Sequence, residues 1–195
     1  AAKLPQPTAR PEPMLPRLPG ELAEVFRNRS FRILFAAMVV FASAAGVSQA
    51  LNNHAAVFVW RLPTASIQIL SYGLMAGIAV GTPIAPLMMH RLEKRTVCWI
   101  GFALVIVPWM LLPVLWALGL YMPIGSAALP SLIVTTVLVG VGCGLVFIAL
   151  PAMMADAADE HEYLYGSRRE GLYFSGLGFA GKAAAGVGSM VGGVA

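Results

Sequence analysis

The sequence predicts an all-α integral membrane bundle, and three observations carry that reading. Hydrophobic residues make up 58% of the chain and charged ones only 11%, against about 25% charged in ordinary soluble domains. The charges are gathered in short segments that separate apolar runs of membrane-crossing length. Basic residues also favour alternate loops: six Lys or Arg precede the first apolar run, three lie at 90–95 and two at 168–169, while the two intervening loops hold one, Arg61. Eleven of the thirteen basic residues therefore lie on one side of a bundle. This argues against nucleic-acid binding and places the N-terminus, the 90–95 loop and the 156–170 segment in the cytoplasm of a cell-membrane protein.

Residues 1–19 hold six of the fourteen prolines, a spacing that forbids helix and predicts a polyproline or disordered linker. Gly20 to Arg32 places Leu22, Val25 and Phe26 on one side and gathers Arg27, Arg29 and Arg32 at its end. This suits a short amphipathic helix lying against anionic headgroups or leading directly into the first span. Residues 1–32 are thus a cytoplasmic linker with a juxtamembrane helix, and 33–195 a transmembrane bundle with spans at about 33–60, 66–89, 96–118, 131–154 and 171–195.

Span one has twenty-eight residues without Asp, Glu, Lys or Arg, about 40 Å of helix against a hydrocarbon core near 30 Å. Its second half carries Ser48, Gln49, Asn52, Asn53 and His54, groups that must face protein or water. They are either hydrated at the outer interface or, for Asn53 and His54, part of a substrate-binding wall. Span two carries Gly73, Gly77 and Gly81 at intervals of four, a smooth face on which another helix can pack closely. Pro83 and Pro86 are expected to kink its end. The sixty residues from Thr96 to Ala155 have no charged side chain. That is too long for one crossing, and Gly119 to Pro130 supplies the turn. Cys98 and Cys143 lie inside apolar runs with no metal or disulfide spacing and read as packing residues.

The stretch from Pro151 to Lys182 organises the rest. It packs Asp156, Asp159, Glu160 and Glu162 between two apolar runs, closes them with Arg168, Arg169 and Glu170, and then places a single Lys182 inside the next run. The expected structure is a polar hinge: a solvated, ion-paired loop between two membrane-length helices. The acidic residues do not share one helical face and His161 lacks an H-E-x-x-H context, so neither a metal site nor an intramembrane hydrolase is expected. Gly176 to Lys182 formally matches a phosphate loop, but Ala183 stands where Ser or Thr should hold magnesium and no strand precedes it. Lys182 lies about 17 Å into its span, near the bilayer midplane, where a cation costs roughly 2.5–3.5 kcal/mol on insertion scales. Ser175, Lys182 and Ser189 are spaced by seven, with Gly178 and Ala185 beside them. This small, polar stripe is suited to lining a cavity.

The order Ala155-Asp156-x-x-Asp159, Glu162-Tyr163, Gly166, Arg168-Arg169-Glu170-Gly171 and then Lys182 resembles the signature between the tenth and eleventh helices of the glycoside-pentoside-hexuronide:cation symporters. These are melibiose permease-like members of the major facilitator superfamily. The chain departs from that pattern at Glu160, His161, Tyr165 and Ser167. The segment His90 to Arg95 resembles a degenerate copy of the superfamily's basic loop, keeping Arg91, Lys94 and Arg95, with Pro86, His90 and Glu93 as departures. The resemblance implies a major facilitator-type bundle, here the partial C-terminal half with five transmembrane helices, corresponding to helices seven to eleven. It implies alternating access and symport of a sugar or glycoside with Na+ or H+, no other cofactor, and no enzymatic activity. Lys182 and Ser175, with Asn53 and His54, would couple substrate and cation, while Asp156, Asp159, Glu162, Arg168, Arg169 and Glu170 would gate the cytoplasmic mouth. The N-terminal half of the same transporter and membrane lipid would be the partners. A lipid-like substrate on the same fold is the alternative, or a non-transporting scaffold if five spans are the native length. The chain starts without Met and ends inside an apolar run, so flanking sequence is expected.

Overall fold

The computed structural model describes residues 18–166 and 169–194, so residues 1–17 of the proline-rich linker, Ser167, Arg168 and Ala195 lie outside the described residues; the linker's last two residues, expected to be non-helical, instead open a helix, where Pro19 is tolerated in the first turn. Six α-helices follow one another: α1 (Leu18–Arg27), α2 (Arg29–His54), α3 (Thr64–Met89), α4 (Lys94–Ala117), α5 (Leu129–Tyr165) and α6 (Glu170–Val194). Among the described residues there is no strand. By length and composition four helical segments can cross a membrane: Arg29–Val59, Thr64–Met89, Lys94–Ala117 and Leu129–Tyr165. Helix α6 has 25 residues, which is long enough, but glycine and Lys182 lower its hydropathy and it does not join that set.

Local chemistry explains the boundaries. The amphipathic segment is a helix of its own, because Asn28 breaks it from α2: its backbone is extended (φ −67°, ψ 122°) and its Oδ1 accepts a hydrogen bond from the Phe31 N–H at 3.1 Å. That satisfies one of the orphan donors of the new helix. Pro63 and Glu93, both extended, precede α3 and α4. Lys94 and Arg95 of the expected basic loop therefore belong to the first turn of α4. At the other end of the bundle α2 passes into a π-helical turn, Ala55–Val59, a feature the hydropathy pattern does not signal. Gly119 and Gly125 take the left-handed conformation (φ 69° and 63°) in the turn between α4 and α5, the region expected from composition. The Gly125 N–H donates to the Trp60 carbonyl at 2.8 Å, tying the two loops of that end together.

The expectation of a polar loop after span four is corrected. Helix α5 runs unbroken for 37 residues through Asp156, Asp159, Glu160, His161 and Glu162 and stops at Gly166. Gly166 adopts φ 69° and donates its N–H to the Glu162 carbonyl at 2.9 Å, a left-handed C-terminal cap. The helix thus ends at Gly166, and α6 begins at Glu170. The acidic residues extend a rigid helix beyond its apolar part, so their side chains take fixed directions.

Glycines set the packing. A Cβ at Gly77 would strike the Val137 carbonyl and stand 2.9 Å from the Gly140 Cα, and one at Gly144 would meet Gly81 at 2.9 Å. Matching residues rise together along both chains, so α3 and α5 run parallel. In the same way Gly181 meets Met38, Gly188 meets Ser43, and Gly192 meets Val47 and Ala50; α2 and α6 are also parallel. Gly101 against Gly142 and Lys94 against Asp156 make α4 antiparallel to α5. The apolar core gathers at two levels. One, at the charged end, includes Phe31, Val97, Met154, Ala158 and Tyr173; the other, at the far end, includes Trp60, Leu62, Leu70 and Ala128.

Candidate functional site

Helix α6 has two unlike faces. Tyr173, Leu177, Ala180, Gly181, Ala184 and Gly188 are buried, with Gly181 and Gly188 set against α2. Ser175, Gly178, Lys182, Gly186 and Ser189 are exposed. A Cβ added at Gly178 or Gly186 would meet nothing within 4 Å. The two hydroxyls turn back onto their own helix, Ser175 Oγ donating to the Leu172 carbonyl at 3.2 Å and Ser189 Oγ to the Ala185 carbonyl at 2.9 Å. Local sterics account for this strip: glycine and serine leave a shallow trough from which Lys182 rises, edged by the exposed Phe179 and Met190. Its ammonium forms no ion pair or hydrogen bond among the described residues. It stands twelve residues beyond Glu170, about 18 Å along the helix.

Asn53 and His54 are exposed at the far end of α2. The His54 Nδ1 lies 3.2 Å from the Ala50 carbonyl, and the ring stacks on Phe58 at 6.2 Å. In the parallel register Gly181 is level with Met38. Asn53 therefore stands fourteen or more residues beyond Lys182's level, roughly 20 Å at helical rise. The structure does not bring these two groups together.

The charged end is where side chains converge. Lys94 Nζ donates to both oxygens of Asp156, at 2.6 and 2.8 Å, and lies 3.5 Å from the Ala152 carbonyl. Arg169, one residue before α6, donates to Glu21 of α1 at 2.7 Å and lies 3.9 Å from Glu24. His161 is completely buried, 3.5 Å from the Glu24 carboxylate. Asp159 and Glu162 are exposed on the outer side of α5, Glu170 is exposed at the start of α6, and Arg91 is exposed in the turn before α4. Glu21, Glu24, Asn28 and Tyr173 are members of this constellation that sequence reasoning missed. The two glutamates three apart on an amphipathic helix were the available signal. Between α2, α4 and α5 a cleft of about 1050 Å³ opens at this end, walled by Trp99, Phe102 and Met153 and rimmed by Arg29, Arg95 and Asp156.

The Lys94–Asp156 pair is 40% and 59% exposed, so water screens it and it holds the helices together only weakly. Lys94→Ala is expected to change thermal stability by less than about 1 kcal/mol. Unfolding of the detergent-solubilised protein followed by tryptophan fluorescence checks this, and a loss of several kcal/mol would show the pair to be structural.

Comparison with known proteins agrees with this architecture. The family described as MFS/sugar transport protein matches residues 4–195. The chain is 30% identical over 139 residues to the isoprimeverose transporter of Lactiplantibacillus pentosus, an alignment that takes in 70% of this chain and 27% of that protein. The chain thus spans little more than a quarter of the curated relative it matches. No solved structure matches it. A helical bundle of membrane-crossing segments, matched by one family description over almost its whole length, is an integral membrane protein, and the chain belongs to the MFS/sugar transport protein family.

Proposed function

We propose that this chain is part of the C-terminal half of a sugar transporter, a cation-coupled symporter of a sugar or glycoside that works by alternating access. The observation that carries the reading is Lys182: a cation near the middle of α6, on a strip of glycine and serine edged by exposed Phe179 and Met190, turned away from α2 and open to whatever packs opposite. An uncompensated charge at that depth is costly in lipid, so the face is assigned to a central, water-containing cavity completed by the N-terminal half. Helix α6 is then the fifth span despite its modest hydropathy, since one of its faces meets water and the other meets α2. The coupling ion is Na+ or H+. The charged end, with Asp156, Asp159, Glu162, Arg169 and Glu170, is the cytoplasmic gate; Arg168, assigned to the same gate from the sequence, lies outside the described residues. Asn53 and His54, so far from Lys182, are assigned to the outer mouth of the pathway rather than to its centre. The relative's name makes isoprimeverose the first sugar to test. Proteoliposomes containing the intact transporter should accumulate it when an inward Na+ or H+ gradient is imposed, and uptake that ignores both gradients would refute cation coupling.

Orientation is tested separately. In a background in which Cys98 and Cys143 are replaced by Ser, a membrane-impermeant maleimide applied outside intact cells should label Ser126→Cys, which is exposed between α4 and α5. It should spare Tyr163→Cys, which is 90% exposed at the charged end. The opposite pattern would invert the topology.

A further inference from the structure

We propose that Thr64, Gln68, Ser71 and Tyr72 on α3 form a second, sugar-contacting wall of the pathway, entering it from the far end as the Lys182 strip of α6 enters it from the charged end. The inference rests on the assignment of the Lys182 face to a central cavity.

The glycine contacts of the bundle repeat themselves. A Cβ at Gly77 meets the Val137 carbonyl, as one at Gly188 meets the Ser43 carbonyl. A Cβ at Gly140 meets the Leu74 carbonyl and the Ile78 nitrogen, as one at Gly46 meets the Ala185 carbonyl and the Ser189 nitrogen. Gly81 meets Val141 as Gly192 meets Val47. One register satisfies every pair: each α5 residue stands 94 positions after its α2 counterpart (Ser43 and Val137, Gly46 and Gly140, Val47 and Val141), and each α6 residue 111 after its α3 counterpart (Leu74 and Ala185, Gly77 and Gly188, Ile78 and Ser189, Gly81 and Gly192). Helix α2 runs away from the charged end and α5 toward it, so the repeat is inverted. The helices pack in the order α6, α2, α5, α3. The two-fold rotation that exchanges α2 with α5 and α3 with α6 therefore turns about an axis crossing this row from front to back in the membrane plane. It reverses depth and keeps the front of the row at the front, so the face of α3 equivalent to the Lys182 face of α6 opens on the same cavity.

That face carries polar chemistry of its own. In the shared register Thr64 is the counterpart of Ser175 and Ser71 the counterpart of Lys182. Thr64, Gln68, Ser71 and Tyr72 are all exposed, Tyr72 by 68%, and their spacing puts them on one side of the helix. Ser71 Oγ donates back to the Ile67 carbonyl at 3.3 Å, while the Gln68 amide and the Tyr72 hydroxyl form no hydrogen bond among the described residues. Tyr72 lies eight residues into α3, about 12 Å along it, where polar groups must face protein or water. The neighbouring flank is apolar and also exposed: Ile69, Val80 and Leu87. Helix α3 thus offers lipid one flank and something wet the other. An amide that donates and accepts, two aliphatic hydroxyls and a phenol ring with an apolar face suit a sugar, which presents hydroxyls at its edge and C–H groups on its face.

The test uses the intact transporter, freed of cysteine, in cells and in proteoliposomes. Single cysteines at Gln68→Cys and Ser71→Cys are compared with Ile69→Cys, which lies at the same depth about 100° around the helix. A charged methanethiosulfonate applied from outside should modify positions 68 and 71 roughly tenfold faster than 69, because the reactive thiolate forms in water and not in lipid. Isoprimeverose should slow the modification at 68 and 71 and leave 69 unchanged. Gln68→Ala should raise the KM for isoprimeverose about tenfold, the scale of a lost hydrogen bond, with the maximal rate within about twofold of the parent; a purely structural role would lower the rate instead. Equal, slow modification at all three positions would overturn the wall even in a protein that transports the sugar. Fast modification at 68 and 71 that isoprimeverose does not slow, in a transporting protein, would overturn the sugar contact. A protein that takes up no isoprimeverose yet is modified quickly at 68 and 71 would refute the transport of that sugar and support the wet face of α3, which the labelling reads without any sugar.

Discussion

Replacing Gly77 by Ala should cost several kcal/mol of stability and leave the α3–α5 pair loosened, although the change adds one methyl group. A Cβ there collides with the Val137 carbonyl and stands 2.9 Å from both the Gly140 Cα and the Val141 nitrogen. All three are backbone atoms, which cannot rotate aside as the end of a side chain can. Overpacking a buried site costs about 1–3 kcal/mol when neighbours can adjust, and more is expected where two helices must separate along their whole contact. Within a membrane that separation also forfeits the close van der Waals packing that holds helices together in place of a hydrophobic drive. The internal control is Gly178→Ala or Gly186→Ala on α6, where a Cβ meets open space. The gain in helix propensity, up to about 1 kcal/mol, should leave those proteins as stable as the parent or slightly more so. Thermal unfolding in detergent, followed by size-exclusion monodispersity, separates the two classes. A Gly77→Ala protein that melts with the parent would show that the α3–α5 contact is looser than it stands here.

What could be read from the chain alone follows from which forces act locally. Span positions and loop charge are properties of consecutive residues, so the starts of α2 to α5 lie within four residues of the expected spans, whereas α5 runs eleven residues past the expected end at 154. The glycine face of α3 was equally visible, but its partner was not: Gly140 and Gly144 lie in a run with Gly142, and only the three-dimensional register selects which of them meets α3 and which meets α4. The continuation of α5 through the acidic residues was misread because charge ends a membrane span without ending a helix. Nothing between Asp156 and Tyr165 breaks the backbone until Gly166 supplies a left-handed residue. His161 shows the same limit from the other side. Among the acidic residues Asp156, Asp159, Glu160 and Glu162 it reads as solvated, yet α1 and α6 fold over it and remove it from water. Its burial is decided by elements far away in the chain. Ser175, Lys182 and Ser189 fall on one side because a helix has a fixed period, and the structure adds that this side is the one α2 leaves free and that exposed Phe179 and Met190 border it.

Lys182→Ala should reduce cation-driven accumulation by the intact transporter to the level of empty liposomes while leaving insertion and expression unharmed. Both halves of that expectation come from the same feature. The ammonium stands mid-helix with no partner among the described residues, so the fold does not use it for internal pairing, and removing it relieves roughly 2.5–3.5 kcal/mol of insertion cost. If the charge served packing, its loss would destabilise; if it serves the cavity, its loss should spare the fold and stop coupling. Lys182→Arg keeps the charge but replaces a compact, flexible ammonium with a planar fork, and partial activity is expected. Gly178→Leu, one helical turn away on the same open face, tests the trough itself: with nothing within 4 Å of its Cβ, the protein should fold normally and yet lose transport as the added side chain fills the space beside Lys182. Arg95→Ala, in the first turn of α4 and remote from that face, is the control and should retain substrate-dependent uptake. Parent-like accumulation by Lys182→Ala at equal expression would remove Lys182 from the transport pathway, and with it the assignment of the exposed α6 face to a central cavity.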